Sequence, residues 1–175
     1  MAKFIRMTAL AASVAALTLA ATPAAAAPVG PAAGSRNATA TARIVKPLTL
    51  TWVQDLDLGS ITLVGSGATT VGIAYDGTWS CPAGNVTCSG THQVAKYKVT
   101  GVNNQTVTIN SGNVILTNLA DNTKSLLMTV SSPGTLDLGN SGSSGTDFSL
   151  GGSVSVDGST AEGTYEGTFN VTVNY

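Results

Sequence analysis

The chain has 175 residues, with eight Lys plus Arg, nine Asp plus Glu and one His, so its formal net charge is −1 at pH 7 and only 10% of its residues are charged. The basic residues are few and scattered, which excludes the electrostatic footprint that a phosphate backbone requires, so no nucleic acid is expected as a partner. One histidine and two cysteines leave little material for a metal centre or for nucleophilic catalysis.

Residues 1–26 open with Lys3 and Arg6, continue with an apolar run from Met7 to Ala20 and end in small residues. This is the pattern of a secretory signal peptide, cleaved after Ala26. The apolar run is too short for a stable membrane span. Loss of Lys3 and Arg6 leaves six basic residues against nine acidic ones. The remaining length suits one domain with a sizeable core, outside the cytoplasm.

Residues 27–36, APVGPAAGSR, have nothing to bury and read as a flexible leader. Residues 37–46 then alternate, with Ala38, Ala40, Ala42 and Ile44 on one face of an extended chain, and Leu48, Leu50 and Trp52 continue that face. Pro47 has no N–H to donate, which predicts a break between an N-terminal segment and a main domain over residues 47–175. Further strands are expected at 60–64, 69–75, 94–102, 105–109, 113–118, 125–132, 147–156 and 163–175. No window shows helical apolar spacing. The predicted fold is all-β, a single β-sandwich of Greek-key type.

The tetrapeptide LDLG occurs at 56–59 and 136–139. Asp57 and Asp137 are oxygen ligands of the kind calcium takes, but a strand ending in a turn explains each copy without a metal. Cys81 and Cys88 are expected to form a disulfide that stiffens a local loop. A zinc site would have to add His92 to that pair, in a spacing that matches no common pattern.

An acid pair for glycoside hydrolysis would have to come from Asp55, Asp57, Asp76, Asp121, Asp137, Asp147, Asp157, Glu162 and Glu166, and nothing singles out two of them. There is no G-x-S-x-G elbow. The expectation is a protein that is not an enzyme, with no cofactor and no metal. Tyr75 and Trp79 beside the cysteine loop offer an aromatic platform for sugar, against the simpler reading that Trp79 packs inside.

The end of the chain carries the strongest pattern. Gly163, Tyr165, Gly167, Phe169, Val171, Val173 and Tyr175 are all apolar or glycine, and most residues between them are Thr, Asn or Glu. A glycine twelve residues before a near-terminal tyrosine, with alternating apolar residues between, resembles the ending of chaperone-usher fimbrial subunits. Here Tyr175 is not followed by another residue, and the cysteine pair closes a small mid-chain loop.

That resemblance implies an immunoglobulin-like sandwich that lacks a strand. The gap would be filled by a periplasmic chaperone, then by the N-terminal segment of the next copy, with an usher directing assembly. Ala38, Ala40, Ala42 and Ile44 would be the donor residues. ATATARIVKPLTLTWVQDLDLGSI and GTYEGTFNVTVNY are also similar to a family of small secreted bacterial proteins defined by domain of unknown function 4402. The expected function is a structural, pilus-like subunit forming a head-to-tail homopolymer. The alternative is a stand-alone adhesive or sugar-binding sandwich, with residues 37–46 folded back as its own edge strand.

Overall fold

The computed structural model describes residues 30, 34, 37–140 and 144–175. The segment read as a signal peptide lies outside these residues, as does the leader apart from Gly30 and Gly34. No helix among the described residues is long and apolar enough to cross a membrane.

The described residues form thirteen strands and no helix. They are β1 (Thr49–Gln54), β2 (Ser60–Leu63), β3 (Thr69–Ile73), β4 (Trp79–Ser80), β5 (Val86–Ser89), β6 (Ala95–Thr100), β7 (Thr106–Ser111), β8 (Val114–Asn118), β9 (Ser125–Ser131), β10 (Thr135–Asp137), β11 (Thr146–Val156), β12 (Tyr165–Glu166) and β13 (Val171–Asn174). The large sheet runs β1-β6-β11-β9-β8-β12, with β3 on β11 and β4 on β3. A second sheet runs β10-β7-β13, and β2 pairs with β5. Every pairing is antiparallel.

This is an all-β sandwich whose neighbouring strands are often distant in sequence. Period-2 alternation sends one face of each strand inward. One core cluster holds Ala95, Val99, Val107, Ile109, Leu138, Phe148 and Leu150, and the other holds Val71, Val86, Val114, Met128, Val154 and Val156. Leu56, Val130 and Phe169 pack against both, so the apolar interior is continuous.

Most expected strands are present with trimmed ends, and three expectations change. First, the run through Trp52 does not stay inward. β1 is an edge strand with a register shift between Trp52 and Gln54, and Trp52 is 58% exposed. Second, the 163–175 run is two strands, because β12 pairs with β8 in the large sheet and β13 with β7 in the second. The chain changes sheets between them, following its partner, which bends at Gly112–Asn113 between β7 and β8.

Third, the stretch read as a disulfide loop contains strands. Cys81 follows β4, Cys88 lies in β5, and the Cys81–Cys88 bridge therefore ties the two-stranded β2–β5 sheet to the edge of the large one. Both cysteines pack against the second core cluster. The bond does more than stiffen a turn. A Cys81→Ser/Cys88→Ser double variant is expected to lose about 2.5 kcal/mol, the chain-entropy value for a loop this short. Urea unfolding of the oxidised protein and the variant measures that difference.

The two LDLG copies differ. Thr135–Asp137 is a strand that ends in a turn, with Leu138 buried beyond it. Around Asp57 there is only a single bridge to Gln93.

Candidate functional site: the terminal strand and its unpaired edge

Along 164–174 the burial alternates without a break: Tyr165, Gly167, Phe169, Val171 and Val173 are half-buried, and the residues between them are exposed. Phe169, Val171 and Val173 rest on the first core cluster, where Leu48 and Leu50 rest too. None of the five is fully covered. β12 closes one end of the large sheet and β13 one end of the second, so the whole terminal run pairs along one edge only among the described residues. The outer edge presents backbone N–H and C=O groups to solvent, a template for another strand.

The start of this run is held by a residue that sequence reasoning did not single out. Asn118 is 1% exposed, the sole buried polar residue among those described. Its Nδ2 donates to Glu162 O at 2.8 Å, and its Oδ1 accepts from Ala120 N at 2.9 Å and Asp121 N at 3.2 Å. The carboxamide lies where a side chain at 163 would be: a Cβ there would sit 2.5 Å from Asn118 Nδ2, and Gly163 has φ 138°. Gly163 is therefore required both by space and by backbone conformation. The signal was an Asn at a strand end, which among so many Asn residues is no signal.

Tyr175 marks the other end. Its hydroxyl donates to Lys46 O at 2.7 Å and accepts from Val102 N at 2.9 Å. It joins the end of β13 to the approach of β1 and to the stretch after β6. Removing the hydroxyl in Tyr175→Phe is expected to cost about 1 kcal/mol, since both bonds are partly exposed; thermal unfolding of the two proteins measures it.

Residues 37–48 belong to no strand, and 37–47 are exposed throughout. Ala38, Ala40 and Ala42 are exposed, and Ile44 is 94% exposed.

The competing site readings meet other arrangements. Trp79 is half-buried against the second core cluster and stacks on His92, with ring centroids 4.3 Å apart and planes at 15°. It is a packing residue, and Tyr75 stands exposed without it. Because Cys81 and Cys88 are bonded to each other, they cannot join His92 as thiolate ligands. Asp57 Oδ1 accepts from Gly59 N at 2.8 Å, and Asp137 accepts from Thr106 Oγ1, so each is engaged locally. Asp55 accepts from Trp52 Nε1 at 3.0 Å, and Asp147 pairs with Lys98 at 3.6 Å.

Asp76, Asp121 and Asp157 each cap a turn. Their carboxyls are held below the usual aspartate range, mainly by the backbone N–H of Thr78 for Asp76, the Thr123 hydroxyl for Asp121 and the Ser159 hydroxyl for Asp157. A folded pKa below the unfolded one gives stability that is present above the unfolded value of about 3.9 and is lost as pH falls below it. Acid unfolding should therefore sharpen below about pH 4, and the triple Asp→Asn variant at these positions should show a flatter acid limb. Urea midpoints at neutral pH and at about pH 3 test this.

Residues 48–175 match the family model described as Domain of unknown function (DUF4402). No curated protein matches the chain, and no solved structure does.

Proposed function

We propose that this chain, which belongs to the DUF4402 family, is a non-enzymatic secreted structural subunit that assembles by β-strand addition into a pilus-like homopolymer. The observation that carries the reading is a complementary pair of features. Residues 37–47 are exposed and belong to no strand, while the 165–174 run has a free edge beside a half-covered apolar row.

Each feature is a liability alone. An open edge invites uncontrolled association, and an exposed isoleucine stays in water. Laying residues 37–46 of one copy along the 165–174 edge of another satisfies both sets of backbone groups. Ile44 would supply the largest apolar gain, about 1.5–3 kcal/mol on full burial. Ala38, Ala40 and Ala42 add less, so the pairing depends mainly on backbone hydrogen bonds. Because the donor and acceptor surfaces differ, growth is head-to-tail and gives an open filament.

Such an edge needs cover before assembly, which is the role a periplasmic chaperone and an usher would fill. Size-exclusion chromatography and negative-stain microscopy compare the chain starting at Ala27 with one starting at Pro47. Rods or SDS-resistant ladders from the longer chain alone support the reading. Monomers from both, with and without a co-expressed chaperone, would sink it.

A further inference from the structure

Trp52 of β1, Tyr97 of β6 and Phe148 of β11 form one row across the large sheet, since Tyr97 is the register partner of both of the others. Partners in antiparallel strands place their side chains on the same face. The rings of Tyr97 and Phe148 stack with centroids 5.6 Å apart, and cover falls along the row: Phe148 is buried, Tyr97 is half-buried, and Trp52, on the end strand, is exposed.

The open indole is also held in place. Its Nε1 donates to Asp55 Oδ1 at 3.0 Å, Asp55 O accepts from Gln93 Nε2 at 3.2 Å, and the neighbouring Gln54 Nε2 donates to Val94 O at 2.9 Å. Asp55 acts on Tyr97 as well. Burial first, and the Asp55 charge second, push that phenol above its ordinary range, so it stays a protonated donor. An apolar ring face, a carboxylate with a second oxygen and a phenol hydroxyl therefore meet at one place.

We propose that Trp52, Asp55 and Tyr97 bind a neutral sugar residue of a glycan, with the pyranose laid on the indole. The C–H face of a pyranose suits an aromatic ring, and its hydroxyls both donate and accept, which matches the carboxylate and the phenol in turn. Asp55 disfavours phosphate or an acidic sugar. A cation also suits an indole and a carboxylate, but Lys96, beside Tyr97 in β6, opposes it. Holding the indole beforehand cuts the ordering cost of binding. β1 ends the large sheet opposite β12, and the proposal stands without assembly.

Saturation-transfer NMR on the chain starting at Ala27 tests it, with glucose, galactose, mannose, N-acetylglucosamine and their β-linked disaccharides as probes and choline as the cationic competitor. At least one sugar is expected to bind with a Kd below about 20 mM, weakened about tenfold or more by Trp52→Ala and about threefold by Tyr97→Phe. Asp55→Asn keeps an oxygen for the indole and for a sugar hydroxyl, so it should leave sugar binding within about threefold of the parent. Trp52→Ala must hold the parent's thermal midpoint to within a few degrees; Trp52→Thr, a strand former without a ring, replaces it if it does not.

No transfer to any sugar, or transfer unchanged in the Trp52 variant, overturns the proposal. So does transfer to choline alone, lost in Asp55→Asn, which would assign the site to a cation. A Trp52 indole resonance that moves with protein concentration and with no probe would place a second copy on this face, and the sugar reading falls.

Discussion

Gly151→Ala is expected to destabilise the protein by about 3 kcal/mol or more, the upper end of what overpacking costs. A Cβ at Gly151 would lie 2.0 Å from Ile73 O, 2.5 Å from Ala74 C and 2.7 Å from Tyr75 N, all of them backbone atoms. No rotamer change relieves a collision with backbone. The position matters because β11 changes partners there: Thr146–Leu150 pairs with β6, and from Gly152 onward β11 pairs with β3. Room for a methyl group would come only by moving the end of β3, and with it the pairing of Gly152 with Ile73. Gly112→Ala is the control, because a Cβ there meets nothing within 4 Å. Urea unfolding of both should give a large loss for the first and a change within about 0.5 kcal/mol for the second.

Phe169→Ala carries the second large effect, about 2–3 kcal/mol, below the usual cost of emptying a fully buried aromatic position because Phe169 is half-exposed. Its ring touches both core clusters from the stretch where the chain leaves β12 and has not yet entered β13. Few backbone ladder bonds hold that stretch, so the side chain supplies the attachment. Loss of the ring should also loosen the terminal run, seen as faster amide exchange at 165–174 than in Tyr175→Phe. A Phe169→Ala protein with parental stability would show that the two clusters do not depend on this link.

Much of this architecture could be read from alternation. The 146–156 strand, the core valines of β3 and β11, and the half-buried row from Tyr165 to Val173 follow from a period of two, because a sheet face offers each strand one inward side. What alternation cannot tell is the partner. Residues 163–175 keep a single phase, yet the chain crosses from one sheet to the other within them, since phase records which side faces inward and not which strand lies alongside.

Short strands escaped for a different reason. Val86–Ser89 is four residues inside a cysteine-bounded segment rich in turn formers, and Trp79–Ser80 is two residues long, so neither has enough repeats to register. Trp52 misled because it keeps the phase of Leu48 and Leu50 but lies on an edge strand, where an inward phase does not ensure cover. Asn118 was invisible among many similar residues, although its carboxamide organises the entry to the terminal run. In the candidate site, the apolar face was legible and the edge was not. Whether an edge is free depends on every other strand having found a partner.

The central claim is that residues 37–46 of one copy lie along the 165–174 edge of another. Two populations of the chain starting at Ala27 are prepared, one carrying only Thr41→Cys and the other only Thr172→Cys, both on the outward faces of their strands, and are mixed under mild oxidation with the native disulfide intact. The account predicts a mixed intermolecular disulfide that forms far faster than either homodimer and disappears when residues 37–40 and 42–46 are replaced by a Gly/Ser sequence. A single population carrying both cysteines that closes the bond only within each monomer, at every concentration, would contradict it.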